Sequence, residues 1–185
     1  MPHLIDFDGL ERSLFILRHI TYGSPEFCAS TKLTRDCYGG DYEWWEYTGL
    51  LKSIVSNTVI ECAIKVRMIQ DFVASDSQEV DLNELDKDAR NEIQIGQFIG
   101  SELPLTLRES CNKIVHASEA RLRWKNEGNE GSIEYWNGVY ELWGNKGNKP
   151  WHVELNIAEW CIGMIRFNKA IQESVDWVHV YKHDE

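Results

Sequence analysis

From Asp41 to about Val73 the apolar residues return every three or four positions: Leu50, Leu51, Ile54, Val55, Val59, Cys62, Val66, Ile69 and Val73. That spacing predicts one unbroken helix of roughly 48 Å, at about 1.5 Å per residue. A helix so long needs partners of comparable length to cover its apolar stripe, so the chain is constrained to an elongated, mainly α architecture. Trp44 and Trp45 stand near its start and are read as packing against the end of the bundle.

The remaining periodicities supply those partners. Leu10, Leu14, Leu17 and Thr21 mark a first helix from Asp8 or Gly9 to about Tyr22, ended by Gly23-Ser24-Pro25. The following stretch to Gly39-Gly40 has no period and reads as an ordered surface loop shared by Cys28 and Cys37. Within the acidic segment Ser75 to Glu92, Asp81, Asn83 and Glu92 fall at calcium-loop positions one, three and twelve. Leu85 and Asp86 then stand where an oxygen ligand and a turn glycine are required, so the segment is read as a short amphipathic helix on Leu82, Leu85, Ala89 and Ile93. Asn156, with Glu159 three later, caps a last helix whose stripe runs from Ile157 through Trp160, Cys161, Met164, Phe167, Ile171 and Val175 to Val178. His179 and His183 follow it in a solvated terminus.

Beyond Gly128 the period changes to two. Ile133 to Trp136, Asn137-Gly138, and Val139 to Trp143 predict a hairpin with a type I′ turn, and Trp151 to Leu155 a third strand after a turn over Gly144 to Pro150. In that hairpin Glu134 would face Glu141, an unfavourable like-charge pair. The expected fold is thus one domain over residues 1–185: an antiparallel helical bundle with a small antiparallel β-meander inserted at about 132–155, before the last helix. Ile54, Val59, Val66, Ile114, Met164 and Ile171 are expected in one core.

Composition narrows the function classes. No signal peptide and no run near the roughly 20 apolar residues of a membrane span is found, so a soluble, cytoplasmic protein without a membrane partner is expected. Five cysteines at irregular spacing, with no C-x-x-C pair, indicate neither a disulfide framework nor a zinc ribbon; Cys62, Cys111 and Cys161 fall on apolar stripes. No metal or cofactor is expected: Gly-rich phosphate loop, nucleophile elbow and H-E-x-x-H are all missing. The formal net charge of −11 opposes general adhesion to nucleic acid. Arg108 to Lys125 nevertheless carries five Lys or Arg (Arg108, Lys113, Arg121, Arg123, Lys125) against Glu109 and Glu119, a local basic patch able to admit a phosphate chain.

The chemistry-bearing segment starts at Thr106, which with Glu109 forms a capping box, so a helix begins near Leu107. Its apolar stripe is Leu107, Cys111, Ile114, Ser118 and Leu122. A second stripe places Arg108, Asn112 and His116 four apart, so a cation, an amide and an imidazole share one line of the surface. Arg108 lies at the positive dipole end, where a phosphate would suit both.

In this helical setting, Cys111-Asn112-Lys113-Ile114-Val115-His116 resembles the R-N-x-x-x-H signature of the HEPN superfamily of small helical bundles, many of them metal-independent ribonucleases. The Asn and His match in register, and Cys111 stands where the Arg belongs. The resemblance implies a homodimer whose motif helices face each other across the two-fold axis, an RNA or nucleotide ligand, and a toxin–antitoxin or defence role with an antitoxin-like protein partner. His116 would be the acid/base, Asn112 its polar neighbour and Arg108 a phosphate ligand one turn early. A neutral thiol at Cys111 cannot stabilise phosphorane charge, so the expectation is a weak or non-catalytic module. The alternatives are an active ribonuclease using His116, and an unrelated helical adaptor in which His116 is a plain helix histidine.

Overall fold

The computed structural model describes residues 5–35, 42–75, 80–127 and 133–178. Among these, five helices and four strands follow in the order α1 (Phe7–Thr31), α2 (Trp44–Ser75), α3 (Leu82–Ala89), β1 (Gly96–Phe98), α4 (Leu107–Val115), β2 (Glu119–Glu127), β3 (Ile133–Lys146), β4 (Lys149–Asn156) and α5 (Ile157–Ser174). The chain is mainly helical, with one antiparallel sheet in the order β1-β4-β3-β2.

The long helix is present at 32 residues, and Asp81, Thr106 and Asn156 cap the helices that follow them, each side chain accepting a backbone N–H of the first turn. α1, however, runs nine residues past Tyr22, with Pro25 inside it. Proline withdraws one helical N–H, but tertiary contacts on either side hold the helix. Ser24 Oγ accepts from the Trp136 backbone N–H at 3.2 Å and lies 3.1 Å from the Tyr47 hydroxyl, while Cys28 is fully buried with Leu33 and Tyr135. The helix ends at Lys32, in the left-handed region, where Lys32 and Leu33 donate back to Ala29 and Cys28. Much of the expected surface loop is therefore helix. Cys37, like His179 and His183, lies outside the described residues.

α1 lies antiparallel to α2, with Asp6 near Lys65 and Ser24 near Tyr47, and antiparallel to α5, where Phe7 meets Trp177 edge-on and Glu11 accepts from Asn168. One sheet face, carrying Leu122, Trp136, Tyr140, Leu142, Val153 and Leu155, joins Leu14, Val59, Val66, Ile114, Met164 and Ile171 in a single core. Ile54 does not join it and is 45 % exposed: it faces outward, one position from the buried Val55. Val178 is also exposed, beyond the end of α5. Trp44 packs edge-on to Trp124, whereas Trp45 is exposed.

The sheet differs most from expectation. It begins at β1, well before residue 132, and β3 passes straight through Asn137-Gly138. Leu122 pairs with Tyr140 and Trp124 with Trp136, so Asn137 to Val139 stand opposite Arg123 alone as a bulge. Gly138 has φ +84° and Asn137 Oδ1 accepts from Val139 N at 3.1 Å. A bulge and a type I′ turn both need positive φ, so the dipeptide marks either. The two-residue turn is Gly147-Asn148, between paired Lys146 and Lys149. Glu134 accordingly pairs with Asn126 rather than facing Glu141, and receives a bidentate contact from Arg35.

Candidate functional site

α4 ends at Val115, with His116 as its C-cap; Ser118 and Leu122 therefore leave the helix stripe, and Leu122 is buried from β2 instead. Only half of the capping box forms. Thr106 Oγ1 accepts from Glu109 N at 3.0 Å, but the Glu109 carboxylate turns down the helix to Lys113 Nζ at 3.0 Å and Asn112 Nδ2 at 3.3 Å. That i, i+4 pair is the local signal that a capping reading overlooks.

A cleft of about 360 Å³ opens where the C-terminal turn of α4 meets the end of the β3–β4 hairpin. It is lined by Glu109, Asn112, Lys113, His116, Asn145, Lys146 and Trp151. Lys113 forms its floor. Its side chain is only 10 % exposed, with Nζ 4.7 Å from the Trp151 ring and 5.5 Å from that of Phe98, so the ammonium is held over aromatic faces and against one carboxylate. Burial pushes the Glu109 carboxyl up, but hydrogen bonds from Lys113 and Asn112 outweigh it and leave the group below the ordinary carboxylate value. His116 is exposed at the rim, and among the described residues no hydrogen bond engages its ring.

Asn112 and His116 thus share a cleft; Arg108 faces another. It lines the space between α2, α3 and α4, where Nη2 meets Asp71 Oδ1 at 2.6 Å and Nη1 donates to Gln70 Oε1 at 3.2 Å and to the Arg67 carbonyl. The expected phosphate position at the start of α4 is taken by the buried Asp86, which accepts from Arg108 N at 3.3 Å and from the Arg90 guanidinium. Cys111 points into the core, fully buried; burial pushes its thiol up to about 12, against smaller opposing effects of Ser110 and Arg108.

The basic patch is internally neutralised. Arg108 pairs with Asp71, Lys113 with Glu109, Arg121 with Glu119, Arg123 with Glu141 and Glu154, and Lys125 with Glu127. On the sheet face away from the core, Glu141, His152 and Glu154 bring three potential metal-ligating atoms within 4.8 Å of one another. Arg123 donates to both carboxylates there and occupies the position a cation would need. Sequence reasoning passed over Lys146 and Trp151 as site residues, because turn and strand residues carry no spacing that links them to a distant helix. No family model, curated protein or solved structure matches the chain.

Proposed function

We propose that the chain is a HEPN-like module that engages RNA phosphate at the cleft beside His116 and leaves the RNA uncut. This reading takes α1, α2, α4 and α5 as an antiparallel bundle with the sheet as its insertion, and places two copies in a dimer with their motif helices about a two-fold axis. The observation that carries it is the separation of charge from imidazole on the motif helix. Arg108 is committed to Asp71 and Gln70 in a different cleft, and the thiol at the family's Arg position is buried. His116 and Asn112 are left to hold a ligand, with no guanidinium aimed at the charge that develops when a phosphodiester is attacked.

A second reading, a metal-independent ribonuclease, draws on Lys113 and Lys146 beside His116, since two ammonium groups also offset phosphorane charge. The test is a labelled single-stranded RNA incubated with wild type and His116→Ala in EDTA. Binding that weakens in the variant, with intact RNA throughout, is the expected result. Cleavage by the wild type that His116→Ala abolishes establishes the second reading instead.

A further inference from the structure

The α4 cleft is small and is closed at its floor by an ammonium. These two properties say more about its ligand than the resemblance does. A site that grips the interior of a nucleic-acid chain follows the backbone with a track of cations and stacking faces. Here Arg121, Arg123 and Lys125 of β2 are each held by a carboxylate, Lys149 opposite Lys146 lies outside the cleft lining, and the volume of about 360 Å³ lies at the low end for small-molecule clefts, about 300–1,000 Å³. Such a cleft takes one nucleotide. Its cations are Lys113, buried among Phe98, Trp151 and Glu109, and Lys146 at the end of β3.

An internal phosphodiester carries a single negative charge, whereas a terminal phosphate carries nearly two at neutral pH. Lys113 has three N–H donors and gives one to Glu109, so it retains donors for a second anion. Glu109 is a resident competitor for the Lys113 ammonium, but Lys113 and Lys146 together outnumber it, so the cleft keeps a net positive charge that attracts a dianion more strongly than a monoanion. We infer that this cleft binds a phosphomonoester on a single nucleotide, with Lys113 and Lys146 on the phosphate and His116 and Asn112 at its edge. The inference rests on the phosphate-binding reading above and narrows it from the chain to its end or to the free nucleotide.

The experiment is calorimetric titration of the full chain with four probes: adenosine 5′-monophosphate, and one RNA hexanucleotide bearing a 5′-phosphate, a 3′-phosphate, or hydroxyls at both ends. One of the phosphorylated hexamers should bind at least tenfold more tightly than the hydroxyl form. Lys146→Ala and His116→Ala should each remove most of that difference, Lys125→Ala should not, and Glu109→Gln should strengthen binding several-fold. Lys113→Met risks the fold because Lys113 is buried, so the rim variants Lys146→Ala and His116→Ala decide. Adenosine monophosphate binding as well as the phosphorylated hexamer identifies the free nucleotide as sufficient; failure of the nucleotide alone identifies the RNA end. Equal binding of phosphorylated and hydroxyl hexamers overturns this inference and leaves the RNA reading standing. Binding of the nucleotide without any RNA does the reverse, and silence of all four probes overturns both.

Discussion

Trp151 lies across Gly144, its antiparallel partner on the neighbouring strand: a Cβ built on Gly144 would overlap the indole Cζ2 and Cε2 and come within 3.0 Å of the His116 carbonyl oxygen. The missing methyl group therefore sets the position of the aromatic wall against which Lys113 rests, and ties the end of α4 to the hairpin.

Gly144→Ala should destabilise the protein by about 1–3 kcal/mol, the usual cost of overpacking a filled site. It should also weaken phosphate binding, because the displaced indole moves into the cleft. Thermal unfolding with a parallel titration checks both; an unchanged melting temperature with unchanged affinity would mean that the indole does not rest on Gly144.

Cys111→Arg, the substitution that would complete the R-N-x-x-x-H pattern the proposed reading invokes, should unfold the helix rather than create an enzyme. Its side chain would enter a core closed by Leu107, Ile114 and Trp160, and an unpaired buried guanidinium costs several kcal/mol. Chemical denaturation should show a loss above about 3 kcal/mol. A variant as stable as wild type and newly able to cut RNA would place position 111 at the surface of the site.

The helices were legible in the sequence because their signals are local: caps at Asp81, Thr106 and Asn156, and stripes of three-to-four period. Where tertiary contact decides, local signals misled. Pro25 reads as a stop, yet Ser24 and Cys28 are anchored on either side of it; Asn137-Gly138 reads as a turn, yet serves as a bulge in a 14-residue strand. Ile54 fits the apolar repeat of α2 and still faces outward, because periodicity does not say which flank of a broad stripe is covered. That Asn112 and His116 fall on one line of the helix was legible from spacing, and they line one cleft. The destination of Arg108 was not, since Asp71 and Gln70 are nearly forty residues away, and neither was the arrival of Trp151 and Lys146 from the hairpin.

Arg108→Ala should separate structure from ligand binding. Removing its partly exposed pair with Asp71 should cost about 1 kcal/mol or less, after allowance for solvent screening, and should leave RNA affinity unchanged. His116→Ala should show the converse, with near wild-type stability and weaker binding. A loss of RNA binding in Arg108→Ala equal to that in His116→Ala would put both side chains on one ligand.

Arg123 joins Glu141 and Glu154, which pair across β3 and β4 and would repel each other without it. Its hydrogen bond holds the Glu154 carboxyl below the ordinary value of 4.5, against the upward push of burial. The sign follows from linkage: this stabilisation is complete above that value and is lost as pH falls below it through the folded-state value. Arg123→Met should therefore cost about 1 kcal/mol at neutral pH, and the difference from wild type should shrink below about pH 4.5. Denaturant unfolding across about pH 3–7 checks it; a difference that grows on acidification contradicts the assignment.

The central claim, that the His116 cleft holds RNA phosphate without cutting it, is tested most directly by following the His116 imidazole proton resonance in the full chain. A short 5′-phosphorylated RNA is titrated in with EDTA present, and the same samples are then run on a sequencing gel. The predicted result is a saturating shift of that resonance, lost in Lys146→Ala, with full-length RNA recovered from every sample. An unmoved resonance, or RNA cut by the wild type and intact with His116→Ala, would contradict the claim.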